Sequence, residues 1–119
     1  MIWSFRDYVE MGGGEPVSKW IDDQPLKVRI KIDLRLLYLR NEKVWPEQYI
    51  SALKAHDDIY ELRIVFGGTQ YRPLGCHGPG LREFTLLLGT IEKGKIPRHV
   101  IKTAEERRKV ILADRRRSI

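Results

Sequence analysis

Hydrophobic and polar residues alternate along Ile59 to Phe66 and again along Thr69 to Gly75, and the pair Gly67-Gly68 separates the two runs. Two glycines between alternating runs predict a tight β-hairpin. With that turn as pivot, Phe66 faces Thr69, Ile64 faces Tyr71 and Leu62 faces Pro73, so Tyr60, Leu62, Ile64, Phe66 and Tyr71 share the core side. Glu61, Arg63, Val65, Gln70, Arg72 and Leu74 take the other side, with Arg63 across from Arg72. Facing cations repel by a few tenths of a kcal/mol to about 1 kcal/mol. A phosphate seated between them would turn that cost into a grip, which is the first pointer to nucleic acid.

The remaining pattern supplies the frame around this hairpin. Alternation over Met1 to Tyr8 predicts a short edge strand, and glycines 12 to 14 end it. Pro16 suits the first position of a helix over Val17 to Asp23, with Trp20 and Ile21 as apolar anchors, and Gln24-Pro25 stops it. Leu26, Ile30, Leu34 and Leu37 recur at three- and four-residue steps, so Leu26 to Arg40 reads as a longer helix whose stripe covers the sheet. Asn41 to Ile59 reads as a loop, with a helical turn near Gln48 to Lys54. Cys76 to Gly80 reads as a turn, and Leu81 to Ile91 as a third strand with Phe84, Leu86 and Leu88 on the core side, Thr85 across from Arg72, and Gly89 as bare backbone open to a ligand. Pro97 opens a last helix packed through Val100, Ile101, Ala104, Ile111 and Leu112, after which Arg115 to Arg117 fray. The expectation is one α+β domain over residues 1–119: a small antiparallel or mixed sheet of about four strands, two N-terminal helices and one C-terminal helix, all helices on one face.

Charge sharpens the functional side of this reading. The 119 residues carry 22 Lys and Arg against 16 Asp and Glu, a formal net charge of +6, and ten of the cations lie from Lys93 onward. That balance favours a polyanionic partner, either nucleic acid or an acidic protein segment. A single cysteine, Cys76, makes no internal disulfide, and no apolar run is long enough for a bilayer or a secretory signal, so a cytoplasmic protein without membrane contact is expected. Neither cofactor nor metal is expected: His56-Asp57-Asp58 are adjacent loop residues without a distant ligand. His77 reads as a turn histidine and Cys76 as a packing thiol. Among Trp3, Trp20 and Trp45, only Trp45, before a proline, is a candidate for stacking a base.

Order and spacing then carry a resemblance. Gly14-Glu15-Pro16-Val17, Lys19-Trp20-Ile21-Asp22, Pro25 and Leu34 to Leu39, followed by Tyr60-Glu61-Leu62-Arg63-Ile64, Gln70-Tyr71-Arg72, Leu86-Leu87-Leu88-Gly89 and Glu92-Lys93 before a proline-started helix, resemble the RelE/ParE superfamily of toxin–antitoxin toxins in its phage-derived HigB-like branch. The resemblance implies a RelE/ParE-like fold and a metal-free, ribosome-dependent mRNA endonuclease silenced by an antitoxin, of helix-turn-helix type. It places the catalytic cations at Arg63 and Arg72, with a further basic site at Lys93 or Lys95. The position of the general base falls on Glu61, whose plainer role is to neutralise the arginines. The position of the last-helix tyrosine or histidine is approximated by Arg98 and His99. Nucleic-acid contacts are accordingly expected from Arg63, Arg72, Lys93, Lys95 and Arg98. Two alternatives stand beside this: a gyrase-directed, non-nucleolytic toxin, and a phage-derived partner of a helix-turn-helix regulator with no enzymatic role. The sheet edge and the last helix are the expected antitoxin surfaces.

Overall fold

A computed structural model describes residues 1–56 and 58–119. In chain order the elements are β1 (Ser4–Asp7), α1 (Pro16–Asp22), α2 (Leu26–Arg40), β2 (Ile50–Ala52), β3 (Tyr60–Leu62), β4 (Ile64–Phe66), β5 (Thr69–His77), β6 (Glu83–Thr90), α3 (Arg98–Ala113) and a closing 3-10 turn, Arg115–Arg117. The architecture is α+β with a mixed sheet ordered β1-β6-β5-β3-β2, while β4 pairs with β5. β1 runs parallel to β6 and the other pairs are antiparallel. Six strands among the described residues replace the four expected. The unforeseen one is β2, where Ile50 turns inward and pairs with Leu62 instead of continuing a helical turn.

The hairpin keeps the register that the glycine turn dictates, with Ile64 opposite Tyr71 and Phe66 opposite Thr69. It is interrupted at Arg63, whose amide donates to the Tyr49 carbonyl at 2.9 Å and whose carbonyl accepts from Arg35 Nη1 at 2.7 Å. These bonds divide β3 from β4.

Helices cover both faces of the sheet, which corrects the expectation of a bare working face. On one side Val17, Val28, Ile32 and Leu39 pack with Ile50, Leu62, Ile64, Phe84 and Leu86; on the other, Ile101, Ala104 and Ile111 of α3 pack with Leu74, Cys76, Leu87 and Leu88. A bulge between the Leu74–Leu88 and Gly75–Leu86 pairs makes the two-sided burial possible. The bulge inverts the strand's alternation, so Leu87 and Leu88 both join the α3 core and Gly89 moves to the α1 side. Arg107 Nη1 donates to the Leu87 carbonyl at 2.8 Å. Gly89 is therefore no open ligand platform: a Cβ there would meet the Trp20 indole at 2.1 Å. The register also puts Thr90, not Thr85, opposite Arg72, because β5 continues through Cys76 to His77.

α2 forms over the predicted residues but turns its other stripe inward. Val28, Ile32 and Leu39 are fully buried, whereas Leu26, Ile30, Leu34 and Leu37 lie exposed. Both stripes have helical spacing. The buried one lets Lys31 Nζ bond the Val65 carbonyl and stacks the Arg35 guanidinium 3.8 Å over the Tyr49 ring.

The C-terminus is docked rather than frayed. Asp7 and Ile119 exchange backbone hydrogen bonds at 2.6 and 2.9 Å, Val9 N–H reaches the Arg117 carbonyl at 2.7 Å, and Ser118 is buried against Thr85. These bonds cover the Asp7 end of the free edge of β1, one of the edges expected to receive a partner.

Candidate nucleic-acid interface

Glu61 on β3 is the hinge of the charged cluster. Its Oε2 accepts from Arg72 Nε at 2.8 Å and Arg72 Nη2 at 2.7 Å, and its Oε1 accepts from Arg63 Nη2 at 3.1 Å. The two arginines thus share one carboxylate rather than facing each other unopposed. Arg72 is buried, with 9% of its side chain exposed, and its Nη1 donates to the carbonyls of Glu92 and Gly94. Nearly all its donors are occupied by the protein, so it positions a loop rather than gripping a phosphate. With both oxygens held by guanidiniums, Glu61 fills the neutralising role and is poorly placed to accept a substrate proton. Arg63 is the accessible member, 41% exposed, with Nη1 3.3 Å from the Glu47 carbonyl.

The bonds from Arg72 fold the loop 91–96 back over this cluster. Ile96 packs into the α3 core, Lys93 stays exposed, and Lys95 turns over a cavity of about 230 Å³ shared with Leu53, Lys54, His56, Arg72 and Ile101. A larger cavity, about 670 Å³, adjoins it through His56 and Ile101 and is lined by Arg98, His99, Lys102 and Glu105 on the first turns of α3. Together they make one groove with an apolar floor and a cationic rim. Its one carboxylate, Glu105, lies with Oε2 3.4 Å from His56 Nδ1, leaving Lys54, Lys95, Arg98 and Lys102 without an ion-pair partner among the described residues.

Of the residues singled out from the sequence, the structure brings Arg72, Lys95 and Arg98 to this groove and links Glu61 to it through Arg72; Arg63 and Lys93 lie outside its lining. His99, which approximated the last-helix position of the resemblance, also lines it; Lys54 and Lys102 were missed, and His56 was weighed only as a metal ligand. The spacing of Arg98, Lys102 and Glu105 along one helical face was the available signal for the α3 wall. Nothing local announced that the 53–56 loop forms the opposite wall.

His77 belongs to a different cluster. Its Nδ1 lies 2.9 Å from Asp58 Oδ1 and its amide donates to Asp58 Oδ2 at 3.2 Å, while Arg108 Nε approaches the same carboxylate at 3.6 Å. Trp45 stacks with this imidazole at an interplanar angle of 13° and with Phe5 at 18°, lies beside Trp3 and Phe84, and donates from Nε1 to the Leu39 carbonyl at 2.8 Å, so it packs the aromatic cluster rather than waiting for a base. The His56-Asp57-Asp58 triplet separates, His56 toward Glu105 and Asp58 toward His77; Asp57 lies outside the described residues. Cys76 is buried in the α3 core, and burial pushes its thiol up to about 12, which leaves it protonated and inert. No helix among the described residues is long and apolar enough to cross a membrane.

The family described as phage derived protein Gp49-like (DUF891) matches residues 19–109, from α1 through most of α3, a span that contains the whole groove. No curated protein matches the chain.

Proposed function

We propose, from the premise that this chain belongs to the phage-derived Gp49-like family, a family of RelE-like toxin kind, that it is the toxin of a type II toxin–antitoxin module and cleaves mRNA on the ribosome without a metal. In this reading it falls in the HigB-like branch of the RelE/ParE superfamily. The observation that carries the proposal is the groove of Lys54, His56, Lys95, Arg98, His99 and Lys102, with a single carboxylate on its rim among the described residues. A strip of cations without an ion-pair partner among the described residues, over an apolar floor, suits a single RNA strand, with the phosphates on the rim and the bases inward.

Cleavage requires the ribose 2'-hydroxyl to lose its proton, its oxygen to attack phosphorus, and the 5'-oxygen to leave with a proton, giving a 2',3'-cyclic phosphate and a 5'-hydroxyl. His56, held by Glu105 through Nδ1, presents Nε2 as the proton acceptor, and His99 on the α3 wall supplies the proton to the leaving group. Lys95 and Arg98 stabilise the charge that builds on the phosphorane. Arg72 and Glu61 hold the loop that carries Lys95, and Arg63 and Lys93 flank the groove as contacts to a longer RNA or to ribosomal RNA. Mapping mRNA 5' ends after induction tests this directly. New codon-phased ends that disappear in His56→Gln are expected; growth arrest without new ends would refute it.

One observation favours a second reading. Nearly all the donors of Arg72 are taken by the protein itself, as they would be in a gyrase-directed toxin whose sheet cations have no catalytic duty. Inhibition of supercoiling with intact mRNA would select that alternative. Either toxin needs an antitoxin, and a helix-turn-helix protein encoded beside it is the expected partner; tight binding to that protein with no growth arrest at all would instead mark a regulatory partner without activity.

A further inference from the structure

The outward stripe of α2 is an apolar seam left unpartnered among the described residues. Leu26, Ile30, Leu34 and Leu37 are 61%, 48%, 60% and 49% exposed, and Tyr38 beside them is 43% exposed. At about 100° per residue these three leucines and one isoleucine fall within an arc of roughly 80°, a continuous seam about three turns long. Seams of this width and spacing are what a second helix lies against.

The charges beside the seam identify the kind of helix. α2 carries Lys27, Arg29, Lys31, Arg35 and Arg40 against Asp33 alone. Lys27, Lys31 and Arg35 line one edge, and the last two are pinned there by their bonds to the Val65 and Arg63 carbonyls. The other edge mixes Arg29 and Arg40 with Asp33. A second copy docked antiparallel about a two-fold axis would set the Lys27–Lys31–Arg35 edge against itself, and a parallel one would set it against a second net-positive edge. Like-charged edges oppose self-association, whereas a partner with glutamates along the facing edge is attracted.

We infer that the α2 seam is a docking surface for an amphipathic helix of a partner protein, with acidic residues on the edge that meets Lys27, Lys31 and Arg35. The surface lies across the sheet from the basic groove, so occupying it leaves the groove open. This interaction is independent of whether the groove cleaves RNA.

The test uses the full chain and a labelled, helix-stapled synthetic peptide of about five turns, with leucines at three- and four-residue steps and glutamates on one edge, beside a peptide of the same composition with the order scrambled. Fluorescence anisotropy at physiological salt should show the patterned peptide binding at least about tenfold more tightly than the scrambled one. The double variant Ile30→Gln with Leu34→Gln, exposed positions whose change leaves the thermal midpoint in place, should lose that preference. Lys27→Glu should weaken the glutamate peptide and strengthen a lysine-edged version. Equal binding of patterned and scrambled peptides, no binding at all, or indifference to the double variant would overturn the proposal. So would a dimer in sedimentation that the double variant abolishes, which makes a second copy the occupant. Preferential binding to phosphatidylglycerol vesicles through the same residues would overturn it in favour of a lipid surface.

Discussion

Glu61 and Asp7 are strand carboxylates under opposite faces of one sheet, and they live in opposite electrostatic worlds. Glu61 receives two guanidiniums and sits beside a groove rimmed by Lys54, Lys95, Arg98 and Lys102. Asp7 lines a cavity of about 360 Å³ between α1 and α2 with Asp22, Asp33 and only Arg29 as a cation. Burial first, and the charge of Glu15 second, push its carboxyl up to about 6. The difference shows that charge is sorted locally: the groove can take a polyanion, and the cavity that holds Asp7 repels one.

The sharpest way to break this contrast is to remove the guanidinium from the buried pair. Arg72→Ala leaves Glu61 desolvated beside one half-exposed arginine and releases the loop 91–96, so a loss of about 3–5 kcal/mol in urea unfolding is expected. The double change Arg72→Met with Glu61→Leu removes both charges and should recover much of it, since an apolar pair of similar volume replaces a buried ion pair at little cost. If the single variant is as stable as the parent, the cluster does not organise the groove.

His56→Gln comes next. The amide fills much of the imidazole's place without transferring a proton, so a fall of about 10²-fold in cleavage rate with unchanged RNA affinity is expected. Single-turnover cleavage of ribosome-bound mRNA, alongside equilibrium binding, separates the two.

Asp7→Asn probes the other side. A folded-state pKa of about 6, above the ordinary carboxyl value, means that the native state holds this proton more tightly than the unfolded chain. That stabilisation is complete below about pH 4 and is lost as pH rises through about 6. The variant should therefore match the parent near pH 4 and exceed it at pH 7 by on the order of 1–2 kcal/mol, after allowance for partial exposure of the carboxyl. Urea midpoints across that range check it; parallel pH curves for both proteins would show that Asp7 is not the source.

The same contrast explains what could be read from the sequence. The hairpin was legible because Gly67-Gly68 and the alternation around it fix register locally, and the α2 boundaries were legible because Pro25 and the apolar spacing mark them. The inward face of α2 was not, since Leu26-Ile30-Leu34-Leu37 and Val28-Ile32-Leu39 have equally good spacing and only the tertiary contacts of Lys31 and Arg35 choose between them. The bulge near Leu87 was equally invisible, and everything beyond it, Leu88 and Gly89 included, changed sides. At the site, Arg63 and Arg72 were found by facing position and Glu61 by its place two residues before Arg63, but the bonds that occupy Arg72 include carbonyls twenty residues or more away in sequence. The groove's second wall, Lys54 and His56, meets α3 only through the fold.

The smallest expected effect tests the groove as a counter of phosphates. Lys102 is exposed on the α3 wall and has no ion-pair partner among the described residues, so Lys102→Ala removes one mobile cation and little packing. If an RNA phosphate lies against it, the slope of log affinity against log salt for a single strand should fall by about 0.7, with only a few-fold loss of binding at physiological salt. Lys27→Ala, on the α2 side, should leave that slope untouched, because its charge lies across the sheet and is screened over about 8 Å at that ionic strength. Equal slope changes for the two variants would mean that RNA samples the whole basic surface, and the distinction between the two faces would then be one of composition without consequence for binding.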